Sequence, residues 1–122
     1  MLIRELAAVF GVLHADDLLN AVLEWPKNRR RYQVLCYHKV SRDPHPFFRP
    51  LDPEDFERQV LFLKEHYTVL DLEELIDRSI RGDIPPKGVA ITFDDGYRDN
   101  YDVAFPILRR HGVPATVFLT TS

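Results

Sequence analysis

Apolar residues recur at helical spacing near the start of the chain, at Leu2, Leu6, Val9 and Leu13 and again at Leu18, Leu19, Val22 and Leu23. The pattern predicts a helical segment over residues 2–24. Pro26 ends it, and Lys27, Arg29, Arg30 and Arg31 follow as a basic linker. Tyr32 to Tyr37 then forms a short, mostly apolar run of strand type, closing at His38. Ser41 to Pro50 holds three prolines and no period, so it reads as a loop. At Asp52, Pro53, Glu54 and Asp55 a capping side chain, a first-turn proline and two acids at the positive end of the dipole mark a helix start. Phe56, Val60, Leu63 and Tyr67 continue it as one apolar face.

The second half of the chain alternates in kind. Thr68 to Leu70 predicts a short strand, and Asp71 caps a helix that turns Leu72, Leu75, Ile76 and Ile80 inward and stops at Gly82. Pro85 to Gly88 is a turn into Val89 to Phe93, a run suited to a parallel strand covered on both faces. Asp94, Asp95 and Gly96 end it. A helix is expected around Asn100–Arg110, with Pro106 marking an early turn or kink, and then a buried strand over Ala115–Thr120. Strand, helix, strand with short connections is a parallel βαβ unit.

Composition narrows the class. About a third of the 122 residues are Leu, Ile, Val or Phe, well above the level of chains that remain disordered. The net charge of −3 gives no long-range attraction for phosphate backbones, so a nucleic-acid partner is not expected. One cysteine forms no internal disulfide. The apolar stretch Leu6 to Leu13 is too short to span a bilayer, which takes about 20 residues. No signal peptide is read at the N-terminus, because Glu5 cancels Arg4. The expected location is therefore the cytoplasm or the inner face of the membrane, with residues 2–31 as a candidate membrane-surface contact.

The sharpest chemical signal is Thr92-Phe93-Asp94-Asp95-Gly96. Ligands of parallel α/β sheets bind at the carboxyl ends of the strands. Two adjacent carboxylates there are costly unless hydrogen-bonded, protonated or paired with a cation. Successive strand residues point to opposite faces, so both reach one cleft only if the pleat breaks, and Gly96 supplies backbone freedom for that. A cation on one carboxylate, with the other kept as a base, resolves the like-charge conflict. Asp16 and Asp17 form a second pair, but in a polar stretch where solvation or capping explains them. Cys36 reads as a core thiol. His38 reads equally as a cleft residue or as a strand-end histidine bonded to backbone, whereas His45, His66 and His111 read as surface or capping residues. Thr120, Thr121 and Ser122 follow too generic a pattern to be assigned to the strand-end mouth.

Thr92 to Tyr97, followed by Asn100 and by Pro106 to Phe118, resembles the first motif region of polysaccharide deacetylases (carbohydrate esterase family 4). Leu35 to Val40, the Phe56-to-Tyr67 helix and the Leu70–Leu75 segment are similar to the amino-terminal half of such domains. The resemblance covers residues 32–122 and leaves 1–31 outside, as an N-terminal helical extension and linker. It implies an α/β fold, a partial, distorted (β/α) barrel with parallel strands, and removal of N-acetyl groups from a polysaccharide with a divalent metal, commonly zinc. Carried over by position, Asp94 is the general base and Asp95 a metal ligand, with His38 and Tyr97 as substrate-cleft candidates. The family's other metal ligands are two histidines of a later His-Ser/Thr-x-x-His motif. No two of the five histidines here lie four apart, so this chain is expected to be the front half of the domain, inactive alone.

Two other readings compete. Phosphoryl transfer of the haloacid-dehalogenase type needs aspartates separated by one residue, and position 96 is Gly. A non-catalytic deacetylase-like module that binds glycan or a partner fits the missing later motifs. An unfinished barrel also leaves strand edges open, so self-association is expected.

Overall fold

A computed structural model of the chain describes residues 32–121. The helical segment and basic linker read over 1–31 lie outside the described residues, as does the membrane contact assigned to 2–31. The described chain runs β1 (Tyr32–Tyr37), α1 (Pro53–His66), β2 (Thr68–Val69), α2 (Leu72–Arg81) and β3 (Gly88–Phe93). A π-helical segment over Asn100–Ala104 then leads into α3 (Phe105–His111) and β4 (Thr116–Val117). Among the described residues no helix is long and apolar enough to cross a membrane.

β3 is the axis of the sheet, and all six of its residues are buried. It pairs in parallel with β1 along its whole length, from Tyr32↔Gly88 to Tyr37↔Phe93. β2 pairs in parallel with its start and β4 with its end. Val89, Ile91 and Phe93 pack with Phe56, Val60 and Leu63 of α1 and with Ile107 and Leu108 of α3 in the larger core. Ala90, of the other parity, joins Leu70, Leu75 and Ile84 in a smaller one. The unbroken apolar run therefore meets apolar groups on both faces, as a parallel strand requires.

The helix ends follow their sequence signals. The Glu54 amide donates to Asp52 Oδ1 at 2.9 Å and the Glu74 amide to Asp71 Oδ1 at 3.0 Å. Gly82 and Gly112 close α2 and α3 in the left-handed conformation. The segment before α3 is not a plain helix. The Phe105 amide donates to Asn100 O, five residues back, and Pro106 follows. Proline lacks an amide proton and crowds the carbonyl four residues before it, so one wide turn ahead of it avoids the conflict.

Two expectations about burial fail. In α2 only Leu75 is buried, whereas Ile76 and Ile80 are exposed, Ile80 by 80%. The helix packs on the smaller core through Leu75 with Leu72 half-buried beside it, and leaves the far end of that stripe in solvent. The last strand is two residues long, and Val117, Phe118 and Leu119 are exposed rather than buried.

Candidate functional site

Strand pairing assembles the site. Cys36 is opposite Thr92 and Tyr37 opposite Phe93 in the register, and the Asp94 amide donates to Tyr37 O at 2.9 Å, extending the pairing one step beyond β3. By the two-residue period Cys36 points to one side of β1 and His38, just past its end, continues that side, as Asp94, just past β3, continues the side of Thr92. The thiol, an imidazole nitrogen and a carboxylate oxygen of Cys36, His38 and Asp94 all lie within 4.8 Å of one another. Thr92 beneath them is buried, and its hydroxyl donates to Leu35 O at 3.2 Å. Cys36 and His38 are exposed and Asp94 is half-buried.

The pleat breaks one residue earlier than Gly96 alone implies. Asp95 itself takes φ 68° and Gly96 takes φ 61°, two consecutive left-handed residues. Aspartate tolerates that region better than most residues. The inversion separates the surroundings of the two acids: Asp94 stays half-buried beside Cys36 and His38, while Asp95 is exposed. Neither is sunk among aliphatic side chains. Partial burial pushes the Cys36 thiol pKa up, then a hydrogen bond with Asp94 and the charges of Asp94 and Asp95 add to this, against a hydrogen bond with Thr92.

Cys36 is thus not the core thiol expected of it; the outward parity of β1 exposes it. His38 is exposed at the strand end, in reach of Asp94 and Cys36. Tyr97 directly follows the turn, with Lys39 Nζ 5.2 Å from its ring centroid and the rings of His45 and Phe48 at 6.3 and 6.5 Å. His45, read as a surface residue, stacks on Phe48 at 4.1 Å and so belongs to the aromatic group around Tyr97. No period marks the loop that carries it, so the sequence held no signal for this contact. Behind Tyr97, Lys39 Nζ lies 3.1 Å from Oδ2 of the buried Asp99, close enough for an ion pair but off the hydrogen-bonding direction. The Tyr37 hydroxyl, raised in pKa by burial, donates to Gln59 Oε1 at 2.8 Å and ties β1 to α1.

A catalytic zinc ion takes three protein ligands. Asp95 offers one, and the three-donor group found among the described residues contains Asp94 instead. The donors thus fit a divalent cation at the strand ends, but they do not complete a set around Asp95.

These features define a class first: an α/β protein whose parallel strands deliver carboxylates, imidazole and thiol to their carboxyl ends. The comparisons narrow it. The polysaccharide deacetylase family profile matches residues 81–122. The chain is 34% identical over 117 residues to the poly-beta-1,6-N-acetyl-D-glucosamine N-deacetylase of Staphylococcus epidermidis, covering 84% of this chain and 40% of that one. It is 39% identical over 124 residues to the protein of the same name from Staphylococcus aureus, covering 90% and 42%. Among solved structures it is similar to the Streptococcus pyogenes deacetylase PplD in complex with acetate (TM-score 0.65, 29% identity, 72% of this chain and 42% of that one). It is also similar to IcaB from Ammonifex degensii (TM-score 0.64, 30% identity, 72% and 37%). The chain belongs to the polysaccharide deacetylase family. It spans about two fifths of the length of these curated relatives.

Proposed function

We propose that this chain carries the base and one metal ligand of a divalent-metal-dependent hydrolase that removes N-acetyl groups from an N-acetylglucosamine polymer. The metal is zinc in this reading, and its other ligands come from outside the described residues. One observation carries it: consecutive acids at the end of a buried parallel strand are turned by Asp95's left-handed backbone into different surroundings, one half-buried and one exposed. Two carboxylates in unlike environments suit two roles. Asp94, anchored through its amide to β1, accepts the proton of the water that attacks the amide carbon. Asp95, exposed beyond it, is free to hold a cation. The bound ion supplies Lewis-acid polarisation of the carbonyl and favours deprotonation of the water. Tyr97 and His38 line the cleft in which the sugar lies, Tyr97 with its ring backed by Lys39. The fold of the whole domain is then a distorted (β/α) barrel, of which these strands form the first part.

The test is acetate release from N-acetylglucosamine oligomers by a product extended to the length of the relatives, with zinc supplied. Release that stops on chelation and returns with zinc is expected. A second reading, a non-catalytic glycan-binding module, is favoured by the incomplete ligand set around Asp95. It becomes the better account if the extended product binds the oligomer and releases no acetate.

A further inference from the structure

We propose that Cys36, His38 and Asp94 form a cation site of their own, for a borderline-soft divalent ion such as zinc, with a donor set that excludes Asp95. The three ligand atoms come within 4.8 Å of one another. Tetrahedral zinc with thiolate, imidazole and carboxylate ligands needs donors about 3.5 Å apart, from bond lengths of about 2.0–2.3 Å. Rotation of exposed side chains covers the difference, since Cys36 and His38 are both at the surface and only Asp94 is half-buried.

The backbone beneath these side chains is already fixed. Cys36 lies in β1, which is in whole-length register with buried β3, His38 directly follows the strand's end, and the Asp94 amide is bonded to Tyr37 O between them. Three donors on, or one residue past, the ends of two paired strands give a narrower spread of geometries than the same residues on a long loop, which lowers the ordering cost of binding. A thiolate with an imidazole selects zinc, or cobalt in its place, over magnesium and calcium, which take oxygen ligands. Coordination replaces the thiol proton, which passes to solvent as the sulfur–metal bond forms. The fourth position stays open to water. This binding stands on the three donors and does not depend on the hydrolase reading, although it engages the acid which that reading reserves for proton transfer.

The experiment is a titration of the purified 122-residue chain with cobalt(II), followed by the near-ultraviolet sulfur-to-cobalt charge-transfer band and by competition with zinc. The band should appear, reverse on zinc addition, and vanish in Cys36→Ser with the far-ultraviolet circular dichroism unchanged. His38→Ala and Asp94→Asn keep the thiol, so they guard against a folding artefact; each should weaken cobalt binding by about tenfold or more. Asp95→Asn should leave the band and its titration midpoint as they are. The proposal is overturned if no band forms at saturating cobalt, if the band survives Cys36→Ser, or if Asp95→Asn removes it. The last result would relocate the ion to Asp95 and leave the proposed hydrolysis standing. Loss of the band in Cys36→Ser and weakened binding in Asp94→Asn, in an extended product that releases no acetate, would retain this site and reject the hydrolase.

Discussion

Asp95 and Gly96 hold consecutive left-handed conformations, and the position of both acids depends on that reversal. For an L side chain the left-handed region costs about 1–2 kcal/mol. A Cβ at Gly96 would also come within 2.8 Å of Leu119 Cδ2, the mobile end of an exposed side chain that can move aside. Gly96→Ala should therefore destabilise the chain by about 1–2 kcal/mol, chiefly through the backbone, and lower the urea midpoint accordingly. An unchanged midpoint would mean that the turn relaxes, and with it the separation of the two carboxylates. The acid pair and the need for a broken pleat were legible in Thr92-Phe93-Asp94-Asp95-Gly96, because residue type and strand parity are local. The partners of Asp94 were not. That His38 and Cys36 face it follows from the β1–β3 register, a pairing between residues more than fifty positions apart that no local pattern encodes.

At the level of elements, caps and apolar periodicity were read well, since a helix start is written in four or five neighbouring side chains. Asp52 and Asp71 cap as expected. Ile76 and Ile80 of α2 were misread because periodicity gives a stripe without saying how wide a surface covers it. The contact of α1 with α3 was invisible in sequence. His111 Nε2 lies 2.6 Å from Glu57 Oε1, and Arg110 Nη1 lies 3.2 Å from the same atom. The hydrogen bond with His111 is the main cause that holds the Glu57 pKa below its usual value, aided by the charges of Arg110 and His111 and opposed by slight burial. A carboxylate with a depressed folded pKa adds stability that is fully present above its unfolded value, about 4.3, and is lost as pH falls through the folded one. Wild type should thus lose more stability than Glu57→Gln on acidification below about pH 4.3, measured as the urea midpoint against pH. Parallel pH curves for the two proteins would show that the bridge contributes nothing.

Across the molecule, one sheet with α1 and α3 on one face leaves a second face only partly covered. α2 covers its start through Leu75, and the Cys36–Asp94 end stays open. β1 has a partner along β3 and, among the described residues, none on its other edge, and Tyr32 and Val34 are exposed beside that edge. Open parallel edges with apolar side chains associate, so light scattering of the 122-residue chain should show species larger than a monomer; a stable monomer over micromolar concentrations would contradict this. The α/β class and the parallel βαβ order were readable from alternating runs, whereas the shortness of β4 was not, because apolar residues at its end look the same in sequence whether or not neighbours cover them.

The division of labour between the two acids is tested most directly by zinc-dependent acetate release in a product of the relatives' length. Turnover would be measured against zinc concentration for wild type, Asp94→Asn and Asp95→Asn. The account predicts that Asp94→Asn lowers kcat by about 10²–10⁴-fold and leaves the zinc concentration for half-maximal activity where it is, because the ion on Asp95 sets it and not one on Cys36, His38 and Asp94. Asp95→Asn should raise the zinc concentration for half-maximal activity by about tenfold or more. Full turnover and an unaltered zinc requirement in both variants would contradict it.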